Sequence, residues 1–279
     1  MYEPGDEIYI FGFSRGAFTA RSLTGFIRAT GIVPRGSLDM LPKAIKRYQD
    51  KSQGSKTHPS SEESHQFRLQ TSPFVATSEK EVAWREGKQE GDLTLLKVSY
   101  LGVWDSVGAL GVPRHLVAAS LLNRNKYAFH DASLSSMVKS ARHAVALDER
   151  RRSFEPTRWD NVVELNAEHG DDSLPYQELY FVGDHGSVGG GGEIVSLSSI
   201  ALGWIAKGAQ EAGLSLQEQD LAKIKKLENI LGPTYNSTTE PGFITKLMRK
   251  SGKDRAGPDT VDELHPSVFE RWKHDAAYR

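Results

Sequence analysis

The chain has 279 residues, a formal net charge of -1, 38% hydrophobic and 25% charged residues, and no cysteine. These values fit a globular protein with room for a sizeable core. They speak against a surface built to neutralise many phosphates, so no nucleic-acid partner is expected, and they exclude disulfides, thiolate nucleophiles and thiolate–metal sites.

Residues 1–6 are polar and turn-like rather than a secretory leader, and no apolar run approaches the roughly 20 residues of a bilayer span. The expectation is a protein that is cytoplasmic as made and touches membranes only peripherally.

Residues 8–13 (Ile-Tyr-Ile-Phe-Gly-Phe) form a nearly continuous apolar run of β-formers, the pattern of a strand covered on both faces. From Arg15 the pattern turns helical, with Phe18, Leu23, Phe26 and Ile27 at helical spacing and Gly31 as a stop. Residues 49–92 are rich in Ser, Gln, Lys and Glu and read as a polar, partly disordered surface insertion with a short helix near 81–86. A second buried strand is predicted over 93–104, an amphipathic helix over 133–147 and a third strand over 178–182. Helices follow at 197–212, 217–230 and 245–250. Alternating strands and helices predict a largely parallel sheet within a single domain spanning 1–279.

Gly12-Phe13-Ser14-Arg15-Gly16 fits the Gly-x-Ser-x-Gly pattern between a predicted strand and a predicted helix. A serine there sits on a sharp turn, and the flanking glycines let strand and helix approach closely. The Arg15 N–H, at the helix start, is placed to stabilise an oxyanion. The competing reading is a tight turn with Ser14 as a helix cap. A nucleophilic serine needs a base oriented by a carboxylate. Asp105 follows the second strand and is the first choice of acid, with Asp184 and Asp131 behind it; Asp105 could instead cap a turn. His185 follows the third strand and is the first choice of base, with His265 in Leu-His-Pro-Ser-Val as the alternative. His143 and the run Arg150 to Arg152 read as structural. No metal motif stands out and no cofactor is implied.

Beyond the pentapeptide, residues 3–21 around Ser14 resemble the nucleophile block of the catalytic domain of type VI secretion phospholipase effectors. Residues 103–113 (Val-Trp-Asp-Ser-Val-Gly), 143–151 (His-Ala-Val-Ala-Leu-Asp-Glu-Arg-Arg), 181–191 (Phe-Val-Gly-Asp-His-Gly) and 265–271 (His-Pro-Ser-Val-Phe-Glu-Arg) look similar to further blocks of that family, in the same order. The resemblance implies an α/β-hydrolase-like fold and ester hydrolysis of phospholipids. By position Ser14 matches the nucleophile, Asp105 the acid and His185 the histidine of the glycine-rich block, while His265 also falls in a family motif. The family usually opens with a strand and an Asp-Gly-Thr turn, where a second oxyanion donor is expected; nothing here matches that segment, and Ser187 stands where the family usually has Asp.

The resulting expectation is an α/β-hydrolase-like fold, a mostly parallel sheet flanked by helices, N-terminally truncated. An ester or phospholipid is the expected substrate, with a dedicated secretion system as a route of export. A protein partner could cover the sheet edge that a missing strand leaves. The competing function is a non-catalytic binding or interaction module that keeps only the fold.

Overall fold

The computed structural model describes residues 2–50, 54–89, 91–108, 133–151, 154–170, 174–235 and 254–278. In chain order these hold β1 (Tyr9–Phe13), α1 (Arg15–Thr30), α2 (Leu41–Gln49), α3 (Glu62–Thr71), β2 (Val75–Ala76), α4 (Glu79–Arg85), β3 (Thr94–Leu95) and β4 (Tyr100–Trp104). They continue with β5 (Ala141–Ala146), α5 (Val162–Ala167), β6 (Tyr176–Phe181), α6 (His185–Gly189), α7 (Ser196–Glu211), α8 (Glu218–Leu227) and α9 (Pro266–His274). The chain packs as two compact units. One comprises Met1–Ile8, Arg21–Ser99 and Ser135–Lys139, and the other Tyr9–Ala20, Tyr100–Leu134 and Ser140–Arg279.

The second unit is built on a four-stranded sheet in the order β1-β4-β5-β6, parallel throughout, with helices packed on it: an α/β architecture of the hydrolase-like kind. Parallel sheets need cover on both faces, and here α7 supplies much of it. Tyr100, Ala144, Phe181, Ile200 and Ile205 meet in one buried cluster. Each large apolar side chain fully buried there contributes roughly 1.5–3 kcal/mol. The Tyr100 hydroxyl reaches into this layer and donates to the Ile205 carbonyl at 2.9 Å. An apolar cavity of about 310 Å³ lies among Phe11, Trp104, Ile205, Leu221 and Ile224.

β5 corrects the helix predicted over 133–147. Its sequence, Ala-Arg-His-Ala-Val-Ala, has helical spacing, but all six positions are buried between β4 and β6, Arg142 and His143 included. Pairing with two neighbours, which no local pattern announces, decides the conformation. The helix predicted over 245–250 lies outside the described residues.

In the first unit, the polar stretch that promised little order carries α3, β2 and α4. Ser61 and Ser78 cap α3 and α4 by accepting from the N–H groups of Ser64 and Glu81. A buried charge cluster helps to tie the pieces together. Glu81 accepts from Arg68 at 2.8 Å and from Arg85 at 2.5 Å, and all three side chains are fully buried. Arg68 also donates to the carbonyls of Arg28 and Ala29, so it satisfies the open C-terminal end of α1.

Candidate active site

β1, β4 and β6 run parallel, so their carboxyl ends lie on one side of the sheet, where functional groups gather in open α/β sheets. Ser14 follows β1, Asp105 follows β4, and His185 opens α6 shortly after β6. Ser14 has φ 58° and Asp105 has φ 37°, and they alone among the described non-glycine residues have positive φ. Such backbone is uncommon and costs of order 1–3 kcal/mol unless its surroundings hold it. Ser14 is held by a bond from its N–H to the Trp104 carbonyl at 3.0 Å and by the close approach of strand and helix. A methyl group at Gly12 would overlap the Gly16 backbone, which is the steric reason for the first glycine of the motif.

The three side chains form a chain of hydrogen bonds. The Ser14 hydroxyl lies 2.7 Å from His185 Nε2, and His185 Nδ1 lies 2.5 Å from Asp105 Oδ2. A carboxylate at Nδ1 fixes the proton there and leaves Nε2 free to accept from the serine. Two aromatic rings confine the imidazole. Phe13 sits 4.6 Å away and Phe154 4.7 Å away, centroid to centroid. The His185 N–H donates to Glu149, which is itself paired with Arg151. Arg15 is the first residue of α1, so its N–H has no acceptor within the helix.

Asp105 is fully buried. Burial alone would raise its carboxyl, but hydrogen bonds from His185 and Arg255, together with the Arg255 charge, outweigh that and hold it well below the usual carboxylate range. Arg255 meets the carboxylate with both terminal nitrogens, at 2.6 and 2.9 Å, and the Ala146 N–H adds a contact at 2.9 Å. The Asp105–Ser106 turn has its own support. The Ser106 N–H donates to His143 Nε2 at 3.1 Å, and His143 Nδ1 lies 2.6 Å from Glu178. His143 thus links Glu178 to the Asp105–Ser106 turn. Sequence reasoning missed both Arg255, which stands in an unremarkable polar run, and the His143–Glu178 pair, hidden in a strand read as a helix.

The remaining candidates fall elsewhere. His265 caps α9 by accepting from the Ser267 N–H, and its ring stacks on Phe181 at 4.3 Å. Burial and the Arg142 charge push it down to about 4. Asp184 caps α6 through the N–H of Ser187. The Ser187 hydroxyl donates to Asp184 at 3.0 Å, a use for the serine where the family pattern has Asp. Asp131 lies outside the described residues. No group of metal-ligating side chains occurs among the described residues, and no helix among them is long and apolar enough to cross a membrane.

Residues 1–208 match the family described as T6SS, phospholipase effector Tle1-like, catalytic domain. The chain belongs to this family. Ser14, Arg15, Asp105 and His185 all lie inside the span matched by the Tle1-like catalytic domain, whereas Arg255 and His265 lie beyond it. The chain is also similar to "Uncharacterized protein YEL023C" of Saccharomyces cerevisiae, 32% identical over 153 residues. That alignment covers 55% of this chain and 18% of the yeast protein, so the chain spans a small part of the relative's length. No solved structure matches.

Proposed function

We propose that this chain is a serine hydrolase that cleaves carboxylic esters, with phospholipids as the substrate class, through Ser14, His185 and Asp105. The observation that carries the reading is the unbroken chain of hydrogen bonds from Asp105 through His185 to Ser14, at 2.5 and 2.7 Å. The left-handed backbone of Ser14 at the strand-to-helix turn supports it, as this is the conformation that projects a serine oxygen above a sheet. Membership of a phospholipase effector family supports lipid as the substrate.

In this mechanism Ser14 Oγ attacks the ester carbonyl while its proton passes to His185 Nε2. Asp105 keeps the imidazole oriented and stabilises the imidazolium. The Arg15 N–H faces the oxyanion of the tetrahedral intermediate. Collapse expels the alcohol, which takes the proton from His185 and leaves an acyl-serine. Water, deprotonated by His185, then attacks the acyl carbon, and the fatty acid departs as Ser14 recovers its proton.

The test is intact mass after treatment with a fluorophosphonate, on the wild type and on Ser14→Ala. One adduct on the wild type and none on Ser14→Ala supports an activated serine, and release of fatty acid from phosphatidylcholine vesicles then checks the substrate class. A folded wild-type chain that takes no adduct would overturn the reading and favour a binding role.

A further inference from the structure

Arg255 stands 150 residues from Asp105 in sequence, beyond the family's matched span, and its side chain is only 5% exposed. Its fork engages both carboxylate oxygens, and it also donates to the carbonyls of Ala146 and Phe154. A bidentate guanidinium fixes the plane of a carboxylate as well as its charge. Here that plane determines where Oδ2 meets His185 Nδ1.

The charge has a second effect. It helps keep the buried Asp105 carboxylate ionised, so that both of its oxygens remain acceptors. Other carboxylates near His185 have partners of their own. Glu149 is paired with Arg151, Asp184 accepts from the Ser187 N–H and hydroxyl, and Asp148 accepts from the Gly183 N–H and the Tyr278 hydroxyl. Among the described residues, Arg255 is the arginine in direct contact with Asp105.

We propose that Arg255 is a positioning residue for Asp105: it holds the carboxylate in the plane that orients His185. The proposal rests on the Ser14, His185 and Asp105 reading above.

The experiment measures kcat and KM for p-nitrophenyl butyrate against pH, for the wild type, Arg255→Gln, Arg255→Lys and Ser14→Ala, with thermal melts to establish folding. Arg255→Gln is expected to lower kcat by about tenfold or more across the pH range with little change in KM, because the carboxylate loses its two-point grip. Arg255→Lys keeps the charge but cannot grip both oxygens, so kcat falls about tenfold while KM stays near the wild-type value. It also serves as the informative variant if Arg255→Gln does not fold. In the Asp105→Asn background, Arg255→Gln is expected to lower kcat/KM by less than it does alone, because both act through one carboxylate. Wild-type kcat in folded Arg255→Gln or Arg255→Lys overturns the assignment while an inactive Ser14→Ala leaves the triad reading standing. Undiminished hydrolysis by Ser14→Ala overturns both.

Discussion

Ser14 and Asp105 stand at the ends of adjacent parallel strands, both with left-handed backbone, and the Ser14 N–H is bonded to the carbonyl of Trp104, the residue just before Asp105. The two strained turns therefore brace each other at the point where His185 bridges their side chains. Strain that persists in two neighbouring turns is a feature of sites where side chains must be aimed.

Substituting Asp105 tests whether that aim matters. Asn at position 105 presents one oxygen and one amide where two oxygens now serve His185, Arg255 and the Ala146 N–H. The imidazole then loses its tautomeric control, and kcat for ester hydrolysis is expected to fall about 10³–10⁴-fold. A loss under tenfold in a folded Asp105→Asn would remove Asp105 from the mechanism.

Gly189 tests the confinement of His185. A methyl group there would overlap the Phe13 ring, which packs on His185. Gly189→Ala is expected to lower stability by roughly 1–3 kcal/mol, as overpacking does, and to lower kcat through displacement of His185. Chemical denaturation and steady-state kinetics read the two effects separately; wild-type values of both would contradict the described packing.

Glu81 tests the buried charge cluster of the first unit. Glu81→Ala leaves the guanidinium groups of Arg68 and Arg85 buried without their shared anion. Loss of one partner of a buried pair costs about 3–5 kcal/mol, so a fall in stability of that size is expected in a urea titration. A change under about 1 kcal/mol would mean that the charges are solvated rather than paired.

His265 carries the pH prediction. Its folded value of about 4 lies below the ordinary histidine range near 6.5. The folded state thus binds that proton less readily than the unfolded one. The stability the neutral ring contributes is fully present above about 6.5 and is lost as the pH falls through about 4, with roughly 3 kcal/mol as an upper bound. His265→Asn keeps a good helix cap and removes the titration. Between neutral pH and about pH 4.5 the variant is expected to lose less stability than the wild type, by about 2 kcal/mol. Parallel pH–stability curves for the two proteins would refute this.

Much of the second unit was legible because its signals are local. The apolar run before Ser14, the glycines around it and the strands that end at Asp105 and near His185 each follow from short stretches of sequence. The same holds for α7, whose long apolar face is written in consecutive turns. What escaped depends on distant partners. Ala141–Ala146 becomes a strand because β4 and β6 flank it, and α3 forms where Arg68 finds Glu81. Arg255 could not be singled out, because its meaning comes from a carboxylate 150 residues away. The three residues chosen for the site are the ones found hydrogen-bonded together, while the alternative, His265, is used as a helix cap.

The links that join these groups reach far along the chain. His185 is 171 residues from Ser14 and 80 from Asp105. Contacts of such separation form late, since the loops they close must first be paid for in entropy. During refolding, helical signal should therefore return early, and the capacity to take a fluorophosphonate only when the last strand has docked. Covalent labelling of Ser14 would then serve as a clock for the final folding step.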